Sequence, residues 1–177
     1  MKIDQPGLYI DHMLRTTRMH HVHLSSMADV KASMLLTIAS VIITLTAGQV
    51  MKPNMLWPSL VLIFFCLMTI VLATYAVMPK MPALMKSGPP PDVSSPLFNL
   101  LFFGDFVRLG YDEFEAAMEE TLNDHRRSYQ AMVRELYTLG VFLATKKYRM
   151  IRLAYISFIV GLIASCFTML LVNLPIQ

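Results

Sequence analysis

Charge is missing from three long stretches of this chain, and cysteine and glycine are scarce throughout. There are 2 cysteines and 7 glycines among 177 residues. Both cysteines lie inside uncharged stretches, so a disulfide framework has no support. The sequence also lacks the glycine-rich loops G-x-x-x-x-G-K-[ST] and G-x-G-x-x-G, which hold nucleotide phosphates, and the G-x-S-x-G motif of serine hydrolases. We therefore expect the protein not to be an enzyme.

The three uncharged stretches predict membrane spans. They cover residues 32–50, 56–78 and 153–177. A bilayer core is about 30 Å thick, so roughly 20 helical residues cross it. None of the three shows the polar face of a soluble amphipathic helix. The predicted fold class is an all-α membrane protein, with three transmembrane helices and long cytoplasmic helical extensions that form a bundle or coiled coil.

Positive charge predicts the orientation of the spans. Of the 15 Lys and Arg residues, 4 precede the first span, 10 lie between the second and third, and only Lys52 lies between the first and second. Because excess positive charge marks the cytoplasmic side, the N-terminus is predicted to be cytoplasmic. The net charge of +3 is ordinary for such a protein. The expected partner is membrane lipid rather than a nucleic acid polymer.

The spans divide the chain into seven parts. These are a cytoplasmic N-terminal helix (1–31), transmembrane helix 1 (32–50), an external turn (51–55), transmembrane helix 2 (56–78), a cytoplasmic linker, interfacial segment and long helix (79–152), transmembrane helix 3 (153–173) and an external tail (174–177). The prolines of 87–92 predict an extended linker. Segment 96–106 is apolar but too short to span, so we expect it to dock at the membrane interface; the alternative is a plug in the core of the cytoplasmic domain.

Residues 112–152 predict one long helix with an apolar seam. Asp112 and Glu115 have the spacing of a capping box, and Gly140 is the expected place for a bend. The seam residues recur in steps of 3 and 4: Phe114, Met118, Leu122, His125, Tyr129, Met132, Leu136, Leu139 and Leu143. Such a seam needs a partner, either the N-terminal helix or the same helix of a neighbouring subunit. We expect a homo-oligomer.

Few residues suggest chemistry. His20 and His23 share a helix face, as metal ligands would, but no further ligand motif accompanies them, and a polar helix face is the simpler interpretation. At the membrane boundary, Asp29 is expected to pair with a cation that precedes the third span, although snorkelling alone would explain the cations. The candidate gating or packing residues are Asp29, Lys31, Asp105, Lys147 and Arg152.

Two segments of the sequence resemble a known family. The first is R-T-T-x-x-x-H-x-x-L-S-x-M-A-D-x-K-A, from Arg15 to Ala32, directly before a span. The second begins with L-L-F-F-G-D-F at Leu100. It continues through Asp124, Tyr129, Leu136, Tyr137, Leu139, Gly140, Leu143, Lys147, Tyr148, Arg152, Ala154, Tyr155, Phe158 and Gly161. In order and spacing this pattern, from about residue 15 to 170, resembles the Pycsar effector protein family. Where Glu135 stands, the family pattern has aspartate.

The resemblance implies a function in bacterial anti-phage defence. A partner cyclase would make a cyclic pyrimidine mononucleotide, cyclic CMP or cyclic UMP, after infection. The activated effector would then impair the inner membrane, in which it is a multi-pass protein, and cause abortive infection. No cofactor is implied, and this chain has no room for the HD-type hydrolase domain that some similar proteins carry.

A cyclic mononucleotide is an anion with an aromatic base, so its site needs cations and a stacking or hydrogen-bonding partner. The candidate ligand-binding residues are Arg15, Arg18, His21, Tyr129 and Arg134. Two other functions fit the architecture. One is a non-enzymatic scaffold whose cytoplasmic helices recruit a partner. The other is a membrane-anchored hydrolase or metal protein that uses His20, His23 and Asp124 or His125.

Overall fold

The computed structural model contains helices and no β-strands among the residues it describes, which are 7–79, 91–93, 95 and 98–174. The helices are α1 (Leu8–Ala47), a 3₁₀ turn (Pro53–Met55), α2 (Leu56–Val77), the single turn α3 (Phe103–Phe106), α4 (Tyr111–Asn123), α5 (His125–Phe142), a π-helix (Leu143–Tyr148) and α6 (Arg149–Asn173). The predicted linker at 87–90 and the tail at 175–177 lie outside the described residues.

Three helical stretches are long and apolar enough to cross a membrane: Leu8–Ala47, Pro53–Val77 and His125–Asn173. The prediction of an all-α chain with three helices long and apolar enough to span a membrane is confirmed. So is the prediction that the N-terminal helix continues directly into the first span, since α1 runs unbroken for 40 residues. Neither proline nor glycine occurs within α1, so no residue interrupts its backbone hydrogen bonds.

The chain divides into two compact units. We call Leu24–Met78 with Leu143–Gln177 the apolar unit, and Met1–His23 with Pro79–Phe142 the polar unit. In the apolar unit α1, α2 and α6 share one core, whose buried residues are Ala28, Ala32, Leu35, Ala73, Ala76, Ile151 and Ala154. Four of the five alanines are completely buried. Small side chains let helix backbones approach closely, which is how helices associate where lipid replaces water.

Several hydroxyl side chains in the apolar unit donate hydrogen bonds to backbone carbonyl oxygens. The Thr69 hydroxyl donates to Phe65 O at 2.8 Å, and the Ser165 hydroxyl donates to Pro58 O at 2.9 Å. The second bond joins α6 to α2. Gly161 lies where α6 meets α2, and a Cβ there would be 2.4 Å from Phe65 Cβ.

In the polar unit, the segment that precedes α4 fills the core. Phe98 and Leu100 are buried against Ala117 of α4, and Phe106, Leu109, Phe114 and Met118 surround them. The expectation that segment 96–106 docks at the membrane interface is therefore wrong for its buried residues, because α4 covers them. The alternative, a plug in a domain core, describes them. Pro96 and Leu97 lie outside the described residues.

The predicted single helix over 112–152 is wrong. Asp124 has extended backbone angles, φ −114° and ψ 105°, and separates α4 from α5. Its carboxylate accepts the Arg126 N–H at 2.8 Å, as an N-cap does. The Ser128 hydroxyl donates to Thr121 O at 2.6 Å, which bridges the two helices. The predicted capping box is also wrong, since Gly110 is the N-cap of α4 and no side chain caps that end.

We expect Gly161→Ala to destabilise the packing of α2 on α6, because the added methyl group overlaps Phe65. Overpacking of this kind costs about 1–3 kcal/mol. The matched control is Gly48→Ala, since a Cβ at Gly48 meets nothing within 4 Å. Thermal unfolding in detergent micelles measures the effect, and equal melting temperatures for the two variants would contradict the close approach.

Candidate functional site

The five predicted ligand-binding residues all belong to the polar unit. Arg15, Arg18 and His21 lie on α1, whereas Tyr129 and Arg134 lie on α5. Four of them lie near the other helix or in a cavity, and Arg15 does not. Arg15 is exposed and has no polar partner in the part of the chain that the structure describes.

Tyr129 links α5 to α1. Its side chain is 7% exposed, and its hydroxyl donates to Asp11 Oδ1 at 2.7 Å. The hydrogen bond to Asp11 raises the pKa of Tyr129 above its ordinary value of 10.0, and burial adds to the effect. Both causes favour the neutral phenol, because ionisation would place a second negative charge beside the carboxylate.

An ion pair and a close packing contact join the same two helices. Arg18 Nε lies 2.8 Å from Glu135 Oε1, and the Glu135 side chain is only 14% exposed. The ring of His21 lies beside Gly140, since a Cβ there would be 3.5 Å from His21 Cε1. Among the described residues, His21 Nδ1 is buried without a hydrogen-bond partner. Arg18, His21 and Tyr129 thus all take part in the packing of α1 on α5.

Arg134 faces a different feature, a cavity of about 500 Å³ within the polar unit. The segment before α3, of which residues 91–93, 95 and 98–102 are described, lines it together with α4 and α5. Its lining residues are Val93, Phe98, Asn99, Leu100, Ala117, Glu120, Thr121, Arg127, Gln130, Ala131 and Arg134. Arg134 Nη1 donates to Phe98 O at 2.7 Å, which holds the segment against α5.

Asn99 is the cavity residue that the sequence did not reveal. It is 1% exposed, and its Oδ1 accepts the Leu101 N–H at 3.1 Å. Asp105 Oδ2 accepts the Asn99 N–H at 3.0 Å, so the predicted packing residue Asp105 fixes this turn. Asn99 Nδ2 is buried with no partner among the described residues. The signal was present, since Asn99 is the lone amide in an apolar run.

The apolar unit contains the predicted charge pair at the membrane boundary. Lys147 Nζ, on the π-helix, lies 2.7 Å from both carboxylate oxygens of Asp29 and donates to Ser25 Oγ at 2.8 Å. The Lys147 side chain is 10% exposed. The pairing of Asp29 with a cation that precedes the third span is confirmed. Lys31 and Arg152 are exposed and form no ion pair within the described ranges.

The residues of the metal alternative are on the surface. His20, His23, Asp124 and His125 are all exposed. Across residues 7–79, 91–93, 95 and 98–174, no three His, Cys, Asp or Glu side chains come together as metal ligands would.

A family model confirms the resemblance seen in the sequence. The model of the Pycsar effector protein domain matches residues 12–174, which is nearly the whole chain. The chain belongs to the Pycsar effector family. This effector is a membrane protein of the anti-phage defence type that the family represents. No curated protein and no solved structure matches it.

We expect the stability of the polar unit to fall at high pH because of Tyr129. Its folded-state pKa exceeds that of an unfolded tyrosine, so its contribution is fully present below about pH 10 and is lost as pH rises through the folded pKa. Asp11→Ala removes the main cause, the hydrogen bond, and should lower the pKa of Tyr129. Titration by NMR with labelled tyrosine rings measures this pKa, with Tyr129→Phe to assign the signal.

The matched control is Tyr137→Phe, because Tyr137 is 73% exposed. It should leave both the titration of Tyr129 and the loss of stability at high pH unchanged. A Tyr129 signal that titrates identically with and without Asp11 would contradict the hydrogen bond.

Proposed function

We propose that this effector is activated by a cyclic pyrimidine mononucleotide, cyclic CMP or cyclic UMP, which a partner cyclase makes after phage infection. The active effector impairs the bacterial inner membrane and causes abortive infection. The observation that carries this proposal is the match to the Pycsar effector domain over residues 12–174, together with three candidate spans in the same chain. Membrane impairment fits a chain whose helices are long and apolar enough to cross a bilayer.

The helices supply a route for activation. α1 begins in the polar unit and ends in the apolar unit, and α5 continues through the π-helix into α6. A ligand that binds one packing of α1 and α5 more tightly than another shifts the population between them. In our proposal, the ion pair of Asp29 with Lys147 responds to that shift at the membrane boundary. Lys31 and Arg152 keep the spans at their depth in the bilayer. Asp105 holds the turn at Asn99.

Assembly follows from the small number of spans. Three helices enclose no water-filled channel of useful width, so we propose that the effector acts as a homo-oligomer with symmetric packing. Its action on the membrane is non-enzymatic. Catalysis belongs to the partner cyclase, and binding energy alone drives the conformational change.

We expect cyclic CMP or cyclic UMP to release a trapped dye from liposomes that contain the purified effector. Cyclic AMP and cyclic GMP serve as controls, because they differ in the base alone. Mass measurement on the same sample in nanodiscs reports assembly, and a purely monomeric mass would overturn the oligomer. No release with any nucleotide would contradict ligand-dependent impairment and favour a scaffold that recruits a partner.

We expect the N-terminus to be cytoplasmic, because 14 of the 15 basic residues then lie inside. In a background with Cys66→Ala and Cys166→Ala, a membrane-impermeant maleimide should label Lys52→Cys in intact cells. It should label Glu119→Cys, on exposed α4, only after the inner membrane is opened. Labelling of position 119 in intact cells would reverse the orientation.

A further inference from the structure

The guanidinium of Arg134 is a partly buried cation without a counter-ion among the described residues. It donates through Nη1 to the Phe98 carbonyl, and no carboxylate lies within ion-pair distance among the residues that the structure describes. Its neighbour on α5, Glu135, is paired with Arg18 instead. A cation withdrawn from water without an opposite charge is costly, so this position favours an anionic ligand.

Asn99, which lines the same cavity, has a second unused donor, its buried Nδ2. Asn99 is held at two points, because its backbone N–H reaches Asp105 and its side-chain oxygen accepts the Leu101 N–H. Rotation of the amide would break the second bond, so Nδ2 cannot exchange places with the oxygen cheaply. A buried N–H group without an acceptor is unfavourable, and a ligand that carries a carbonyl oxygen would satisfy it.

The remaining wall suits a small aromatic anion. A volume of about 500 Å³ is within the usual range for small-molecule sites. Phe98, Leu100 and Ala117 give an apolar face. Glu120 also lines the cavity, but Arg127 forms an ion pair with it, which neutralises the one carboxylate that would repel an anion.

We infer that the activating ligand binds in this cavity, with its phosphate on Arg134 and a ring carbonyl oxygen on Asn99 Nδ2. The identity of the ligand rests on the proposed function, whereas the location rests on the two unused donors. Cytosine and uracil both carry a carbonyl oxygen at C2, adenine has no ring carbonyl, and guanine carries its carbonyl at C6. Asn99 is therefore a specificity-determining residue that selects against adenine.

The hydrogen bond from Arg134 to the Phe98 carbonyl is one that a bound phosphate would replace, so ligand binding changes the local structure. A phosphate competes with the Phe98 carbonyl for the guanidinium, because a charge-assisted pair is stronger than a bond to a neutral carbonyl. Asn99 follows Phe98 directly, so release of Phe98 lets the shielded amide meet the base. The ligand therefore binds more tightly when the segment before α3 is released from α5, and binding shifts the population toward that arrangement.

The test is calorimetry on the full-length effector in nanodiscs, with cyclic CMP, cyclic UMP and inorganic phosphate as probes. Arg134→Ala and Asn99→Asp should each weaken nucleotide binding by about tenfold or more. Asn99→Asp retains an oxygen for the Leu101 N–H, removes the donor and adds a negative charge, and Asn123→Asp adds the same charge outside the cavity. The matched controls are Arg15→Ala and Asn123→Asp, which change exposed residues outside the cavity and should bind like the wild type.

A measurement on the wild-type protein tests the site even if the variants do not fold. Phenylglyoxal modifies accessible arginines, and nucleotide should slow modification of Arg134 but not of Arg15, as read by mass spectrometry. If both cavity variants bind nucleotide as tightly as the wild type, or if nucleotide protects Arg15 instead of Arg134, the assigned site is overturned. The proposed function is not affected by either result.

The titration with inorganic phosphate distinguishes the location of the anion site from the identity of the ligand. Binding of phosphate that depends on Arg134, without binding of either nucleotide, would support an anion site in the cavity and overturn the proposed ligand. Binding of no probe to the wild type would overturn both.

Discussion

Backbone hydrogen bonding inside a bilayer governs the apolar unit. A membrane core offers no water to unpaired N–H and C=O groups, so a crossing segment must pair them within itself. The helices α1, α2 and α6 do so. Since lipid is as apolar as leucine, burial of large side chains gains little there, and the helices associate through small residues instead. The fully buried Ala28, Ala32, Ala73 and Ala154 are the result.

The two units differ in how completely their buried polar groups are paired. In the apolar unit, Lys147 is matched by Asp29 and Ser25, so its charge and its donors have partners. In the polar unit, Arg134 has a carbonyl but no carboxylate, and Asn99 Nδ2 has nothing among the described residues. Complete pairing stabilises one arrangement of helices. Incomplete pairing leaves an unfavourable free-energy term that a bound ligand can relieve.

Much of the fold could be predicted from the sequence because the patterns that specify it extend over many residues. Three uncharged stretches predict the spans, and the absence of proline and glycine predicts the continuous α1. The pair of Asp29 with Lys147 was also within reach, because both residues precede spans at similar depth. These inferences rest on bilayer thickness and charge, which a single sequence records directly.

The break between α4 and α5 at Asp124 was not predicted because the spacing of apolar residues continues across it. A step of three residues joins Leu122 to His125 whether or not the helix is interrupted, so periodicity carries no trace of the turn. The local signal, an Asp that can cap a following helix, competes with that periodicity and is weaker in the sequence. The cavity followed from the turn: once α4 and α5 are separate helices, the segment with Asn99 packs against both.

The π-helix at Leu143–Tyr148 has a geometric consequence for the third span. A π-turn holds more residues than an α-turn, so the residues after it take a different angular position from the one that a regular helix would give them. One residue of an α-helix corresponds to about 100° of rotation. Within the apolar unit, the π-turn therefore sets the angle between Lys147, which contacts Asp29, and Gly161, which lies against Phe65. If these six residues formed a regular helix, Lys147 and Gly161 would not keep both contacts.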